Sequence, residues 1–177
     1  MRTLRQLLDR LPLGEGDVAP PRRPDAGTDL LEGLATGLPQ GHLHLWGGPA
    51  GAGKCAFLLS LLHAAARRGR GVCYATYDLP AETLASRLLA LVAELPVEDL
   101  PDPGGAPDSG RLDVEGLARA RGARRHLASL PFVIEEARGY GVTSLEDRLV
   151  RLPFRPAVCA VDYVQAVIRP SGQDLGG

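Results

Sequence analysis

The sequence predicts an α/β fold, a parallel sheet flanked by helices, and three observations lead to that class. Short apolar runs at 43–46, 72–77, 132–134 and 157–161 alternate with longer stretches whose apolar residues recur at three- and four-residue spacing. A glycine-rich segment, Gly47-Gly48-Pro49-Ala50-Gly51-Ala52-Gly53-Lys54-Cys55, stands between the first run and the helical stretch after it. Two later runs deliver acids, Asp78 and Asp162, to their carboxyl ends, the edge where open parallel sheets bind ligands.

Composition narrows the class further. A chain of 177 residues that is 45% hydrophobic is long enough for one domain with an arm, and too short for two ordinary domains. A formal net charge of -1 gives no general attraction to nucleic acid or membrane, so any DNA contact has to be local. Cys55, Cys73 and Cys159 form no C-x-x-C pair, which reads as a reduced, cytoplasmic protein. The N-terminus has no apolar h-region and no run of about 18 apolar residues is present, so neither secretion nor a membrane span is expected.

Taken in order, residues 1–11 place Leu4, Leu7, Leu8 and Leu11 on one helical stripe that stops at Pro12. So short a helix is marginal alone, and docking and fraying are both open. Residues 13–27 are rich in Pro, Gly and charge and read as a linker, with the domain proper spanning 28–177. The run at 43–46 is expected as the first strand, with His42 and His44 on its wetter face. The helix after the loop carries Phe57, Leu58, Leu61, Leu62 and Ala65 on one side and ends at Arg67-Arg68-Gly69.

The strand at 72–77 is followed by Asp78 and by Pro80, which suits the first turn of a helix marked by Leu84, Leu88, Leu91 and Leu95. An acidic Pro/Gly-rich loop at 96–109 precedes a helix from Asp113 to about Leu130, weakened by Gly116 and Gly122. Its Arg119, Arg121, Arg124 and Arg125 read as a solvated face in preference to a phosphate-contacting one. The strand at 132–134 runs into Glu135 and Glu136. Thr143-x-x-Glu146 has the form of a capping box opening a helix through Leu152, and the strand at 157–161 ends at Asp162.

The chemistry centres on the glycine-rich segment, because residues 48–54 satisfy the phosphate-binding pattern G-x-x-x-x-G-K. Gly48, Pro49, Ala50, Gly51, Ala52 and Gly53 would aim backbone N–H groups at a phosphate, helped by the positive end of the following helix. Lys54 would reach the outer phosphates. Cys55 stands where Ser or Thr would ligate Mg²⁺, and sulfur is a poor ligand for so hard a cation. Asp162 has the placement of an acid that holds Mg²⁺ beside such a loop. The competing readings are a plain glycine-rich turn and a strand-end Asp that caps the next turn.

Across residues 28–168 these motifs, in this order, resemble the RecA-like ATPase domain of DnaB-type replicative helicases. The likeness is carried by Thr28-Asp29-Leu30, Thr36-Gly37-Leu38-Pro39-Gln40-Gly41, Thr76-Tyr77-Asp78-Leu79-Pro80, Arg111-Leu112-Asp113 and Asp162-Tyr163-Val164-Gln165. The resemblance implies an ATP- and Mg²⁺-dependent motor that moves on single-stranded DNA as a hexameric ring. It implies Asp78 in the place of the glutamate that polarises the attacking water, Asp162 organising the metal with Cys55 beside it, and Gln165 near the γ-phosphate or relaying its state toward DNA. Asp78 is one methylene shorter than that glutamate. The family's DNA-binding loops, further strand and arginine finger have no counterpart, so the domain is expected to be incomplete at its C-terminus. A second reading is a RecA/KaiC-like ATP-binding regulatory or interaction module without helicase activity, and a third is a fragment with no independent function.

Overall fold

Three strands of five residues each, opening on apolar residues and ending on polar ones, form the parallel centre of a mixed sheet. The computed structural model describes residues 2–18, 33–34, 41–103, 111–163 and 165. Within them run β1 (Arg2–Thr3), α1 (Leu4–Leu8), α2 (Lys54–Arg67), β2 (Val72–Thr76), α3 (Ala81–Ala93), α4 (Val114–Ala128), β3 (Phe132–Glu136), α5 (Val142–Val150) and β4 (Val158–Asp162). The sheet order is β1-β3-β2-β4. Strands β3 and β4 flank β2 in parallel, with Val72 opposite both Phe132 and Val158, so Thr76 meets Glu136 on one side and Asp162 on the other. That register sets three polar side chains level at the carboxyl edge.

Side chains alternate across a strand, so β2 sends Val72 and Tyr74 to one face and Cys73 and Ala75 to the other. The first face carries the main core, built with Leu59 and Leu62 of α2, Leu84 and Leu88 of α3, and Ala123 and Leu127 of α4. The second face holds a smaller cluster of Ala75, Tyr77, Ala137 and Leu145, so α5 covers it. Cys73 and Cys159 are register neighbours on this face and stay free thiols.

The N-terminal arm docks. Leu4, Leu7, Leu8, Leu11 and Leu13 are each at most 3% exposed and join the main core, where burying each contributes about 1.5–3 kcal/mol of transfer free energy. Thr3 and Gln6 form a capping box that starts α1. Arg2 and Thr3 extend the sheet by pairing antiparallel with Ile134 and Val133, an addition to the expected parallel set. Arg2 pairs with Glu82 and Glu136, and Arg10 pairs with Glu82 at 2.6 Å, fastening the arm to α3 and β3.

Four expectations are corrected. Residues 42–49 form no strand, and Leu43 and Leu45 are 85% and 76% exposed. A strand exists through its partners, and β4 pairs only with β2 among the described residues. Helix α5 starts at Val142 behind Gly141, which has no side-chain cap, so Thr143 falls inside the helix and the expected capping box is not made. Helix α3 turns Leu89 and Ala85 inward beside Leu84 and Leu88, leaving Leu91 38% exposed, and ends at Glu94 in the left-handed region. The arginines of α4 are not a uniformly solvated face, since Arg121 Nε donates to the Leu13 carbonyl at 2.9 Å and an Arg119 guanidinium N–H donates to the Glu94 carbonyl at 3.3 Å. The segments around Thr28 and Thr36 lie outside the described residues apart from Gly33, Leu34 and Gly41.

Candidate nucleotide-binding site

The glycines of the loop are placed where the backbone needs them. Gly51 and Gly53 have φ of 78° and 81°, a region that side-chain-bearing residues avoid, and the Pro49 carbonyl closes a turn by accepting from Ala52 N–H at 3.3 Å. Gly53 caps α2, which then runs fourteen residues into the main core. A helix of that length, anchored by Leu59, Leu61 and Leu62, presents its unpaired N–H groups and positive dipole end at the loop. Residues 41–53 are exposed, so the loop faces solvent.

Lys54 Nζ donates to the carbonyls of Gly48 and Pro49, both at 2.8 Å, which keeps its ammonium on the loop. A phosphate is a stronger partner for that cation than two neutral carbonyls. A hollow of about 350 Å³ joins Gly51, Gly53, Lys54 and Cys55 to Asp78, Arg87 and Asp162. A second groove of about 220 Å³ shares Lys54 and Asp162 and reaches Trp46, Gly48 and Gln165. The two hollows therefore bring together Gly48, Gly51, Gly53, Lys54, Cys55, Asp78, Asp162 and Gln165. Pro49, Ala50 and Ala52 line neither hollow and build the loop's turn.

The acids reach the hollow from adjacent strand ends. Asp78 follows β2 and is exposed, and its backbone carbonyl accepts from the Arg138 guanidinium. Asp162 ends β4, where its backbone carbonyl accepts from Tyr77 N–H at 2.8 Å. Thr76, level with Asp162, has its hydroxyl committed to the Leu79 backbone, to N–H at 3.1 Å and C=O at 2.9 Å. Gln165 is exposed at the mouth of the groove.

Two residues that sequence reasoning did not single out complete this geometry. Tyr74, fully buried in β2, places its hydroxyl 2.5 Å from Asp162 Oδ2 and 3.5 Å from Cys55 Sγ. Burial, with the bonds to Asp162 and Cys55 adding to it, pushes the phenol far above its usual range, so it stays a protonated donor. Arg87 of α3 donates from Nη1 to Cys55 Sγ at 3.9 Å. A tyrosine in an apolar run reads as core, and an arginine between helical leucines reads as solvent face, so neither gave a local signal.

A loop of this form between the sheet's carboxyl edge and a helix, with an acid on a neighbouring strand end, defines a P-loop nucleotide-binding protein of RecA-like fold. The family model of the DnaB-like helicase C-terminal domain matches residues 25–174, the greater part of the chain. The chain belongs to that family, whose domain is a helicase ATPase unit of DNA replication. No curated protein matches the chain significantly. Members of the family are hexameric, bind ATP and single-stranded DNA and use Mg²⁺. No helix among the described residues is long and apolar enough to cross a membrane.

The residues here do not suit the magnesium ion that the family implies. Mg²⁺ demands about six oxygen ligands in near-octahedral array, and position 55 offers sulfur. One oxygen of Asp162 is taken by the Tyr74 hydroxyl, and the Thr76 hydroxyl is spent on the Leu79 backbone.

Proposed function

We propose that the chain is an ATP-binding DnaB-like ATPase domain that acts in the cytoplasm in DNA replication. The convergence of Lys54, Asp78, Asp162 and Gln165 on two hollows that share Lys54 and Asp162 carries this reading. The loop N–H groups and the N-terminus of α2 hold the polyphosphate, and Lys54 neutralises its outer charge. Asp78 orients the attacking water and accepts its proton, while Gln165 senses the outer phosphate and relays its state toward single-stranded DNA. Family membership supports assembly into a ring through neighbouring copies.

A second reading is favoured by one observation, that Cys55 and the short Asp78 stand at the two positions on which turnover depends. A displacement of about 1 Å in a catalytic group costs roughly 10²-fold in rate. On that reading the chain is a nucleotide-binding regulatory or interaction module without unwinding activity. Steady-state ATP turnover with and without single-stranded DNA separates the two. The helicase reading expects turnover that rises with DNA and falls about 10²-fold or more in Asp78→Asn. ATP that binds and is never hydrolysed, with or without DNA, sinks it and leaves the module.

A further inference from the structure

We infer that this site, read as a nucleotide site, binds the polyphosphate without a magnesium ion, because Tyr74 ties Cys55 to Asp162 where the metal would sit and Arg87 supplies a second cation. The inference rests on the nucleotide-binding reading and deepens it. In a metal-dependent loop of this kind, the residue after the lysine offers a hydroxyl to Mg²⁺ and the strand-end acid faces it across the gap. Here the gap between residue 55 and Asp162 is crossed by a protein hydroxyl. Tyr74 has a single hydroxyl proton, which it donates to Asp162 Oδ2 at 2.5 Å. The same hydroxyl lies 3.5 Å from Cys55 Sγ, within hydrogen-bond reach of it.

This chain has two consequences for a bound polyphosphate. It holds Asp162 back toward the sheet, with part of its acceptor capacity already satisfied from a fully buried donor. Cys55 in turn presents sulfur where a hydroxyl oxygen would recruit a hard cation. The charge that the ion would have brought has a substitute in Arg87, which is exposed, lines the same hollow as Lys54 and lies 3.9 Å from Cys55 Sγ. A guanidinium offers five donors in a planar fork suited to phosphate oxygens, and it needs no coordination shell. Lys54, Arg87 and the helix dipole thus face the ligand. Asp78 opposes them from an exposed position where water screens it.

A fluorescent ATP analogue titrated into the full chain, in excess Mg²⁺ and in excess EDTA, tests this directly. Dissociation constants that agree within about threefold are expected, and weakening of about tenfold or more on chelation overturns the inference. The double variant Cys55→Thr/Tyr74→Phe is expected to acquire a metal dependence of about tenfold, and a double variant still indifferent to EDTA contradicts the assignment to this hydrogen-bonded chain. Arg87→Ala is expected to weaken binding about tenfold in both buffers, and unchanged affinity removes Arg87 from the account. The comparison on the unaltered chain needs no variant to fold. Absence of binding in both buffers would overturn the nucleotide reading itself, whereas tight binding lost in EDTA overturns only the present inference.

Discussion

Tyr74 shows how a single side chain changes what a motif means. The loop sequence declares phosphate binding through local signals, glycine spacing followed by Lys54, and those are legible because each needs only its neighbours in the chain. The hydroxyl contact between Tyr74 and Asp162 joins residues 88 apart in sequence, so no local pattern announces it. Glu82 is a second case, since it reads as an ordinary helix-surface acid and becomes the acceptor for both Arg2 and Arg10. Burial raises its pKa, and the Arg2 and Arg10 partners outweigh that and hold it below its usual value. A depressed acid contributes stability that is present above its unfolded pKa of about 4.3 and is lost as pH falls through the folded value. Glu82→Gln is therefore expected to cost about 1 kcal/mol at neutral pH and less in acid, as read from urea midpoints at the two pH values. His126 acts in a higher window. Burial, with Arg67 nearby, lowers its pKa, so stability falls as pH drops below about 6.5. His126→Gln should flatten the change in melting temperature between neutral and mildly acidic buffer, and an unchanged slope would contradict that assignment.

At the level of elements, the three parallel strands and the helices between them were legible because period and turn residues mark them locally. Segment 43–46 has the composition of a strand and is none, since strand identity depends on a partner and the outer edge of β4 is unpaired among the described residues. Strand β1 was illegible for the opposite reason, two residues being too few to show a period. The stripe of leucines at 4, 7, 8 and 11 was visible, yet whether it docks is a tertiary matter, settled by the apolar surface that α3 and α4 offer and by Glu82. Because Leu4 and Leu8 have no measurable exposure, Leu8→Ala is expected to destabilise by about 2–5 kcal/mol. A loss under about 0.5 kcal/mol in a denaturation curve would mean that the arm is not docked in solution.

On the scale of the whole molecule, the sheet has one face packed by four helices and one covered by α5, and it leaves Leu45 and Trp46 exposed beside β4, with Leu43 exposed two residues before Leu45. Exposed apolar residues next to an open strand edge favour association between copies. Leu43→Ser with Leu45→Ser is expected to lower concentration-dependent light scattering while leaving the unfolding free energy within about 0.5 kcal/mol, and scattering that does not change would exclude this surface as its source. Nucleotide binding at the glycine-rich loop underlies every role proposed for Lys54, Asp78, Asp162 and Gln165. Calorimetric titration of ATP into the full chain and into Lys54→Ala tests that most directly. Saturable binding that weakens by about tenfold or more when the lysine is removed is expected, and equal affinity in the two proteins would show that the loop is not the nucleotide site.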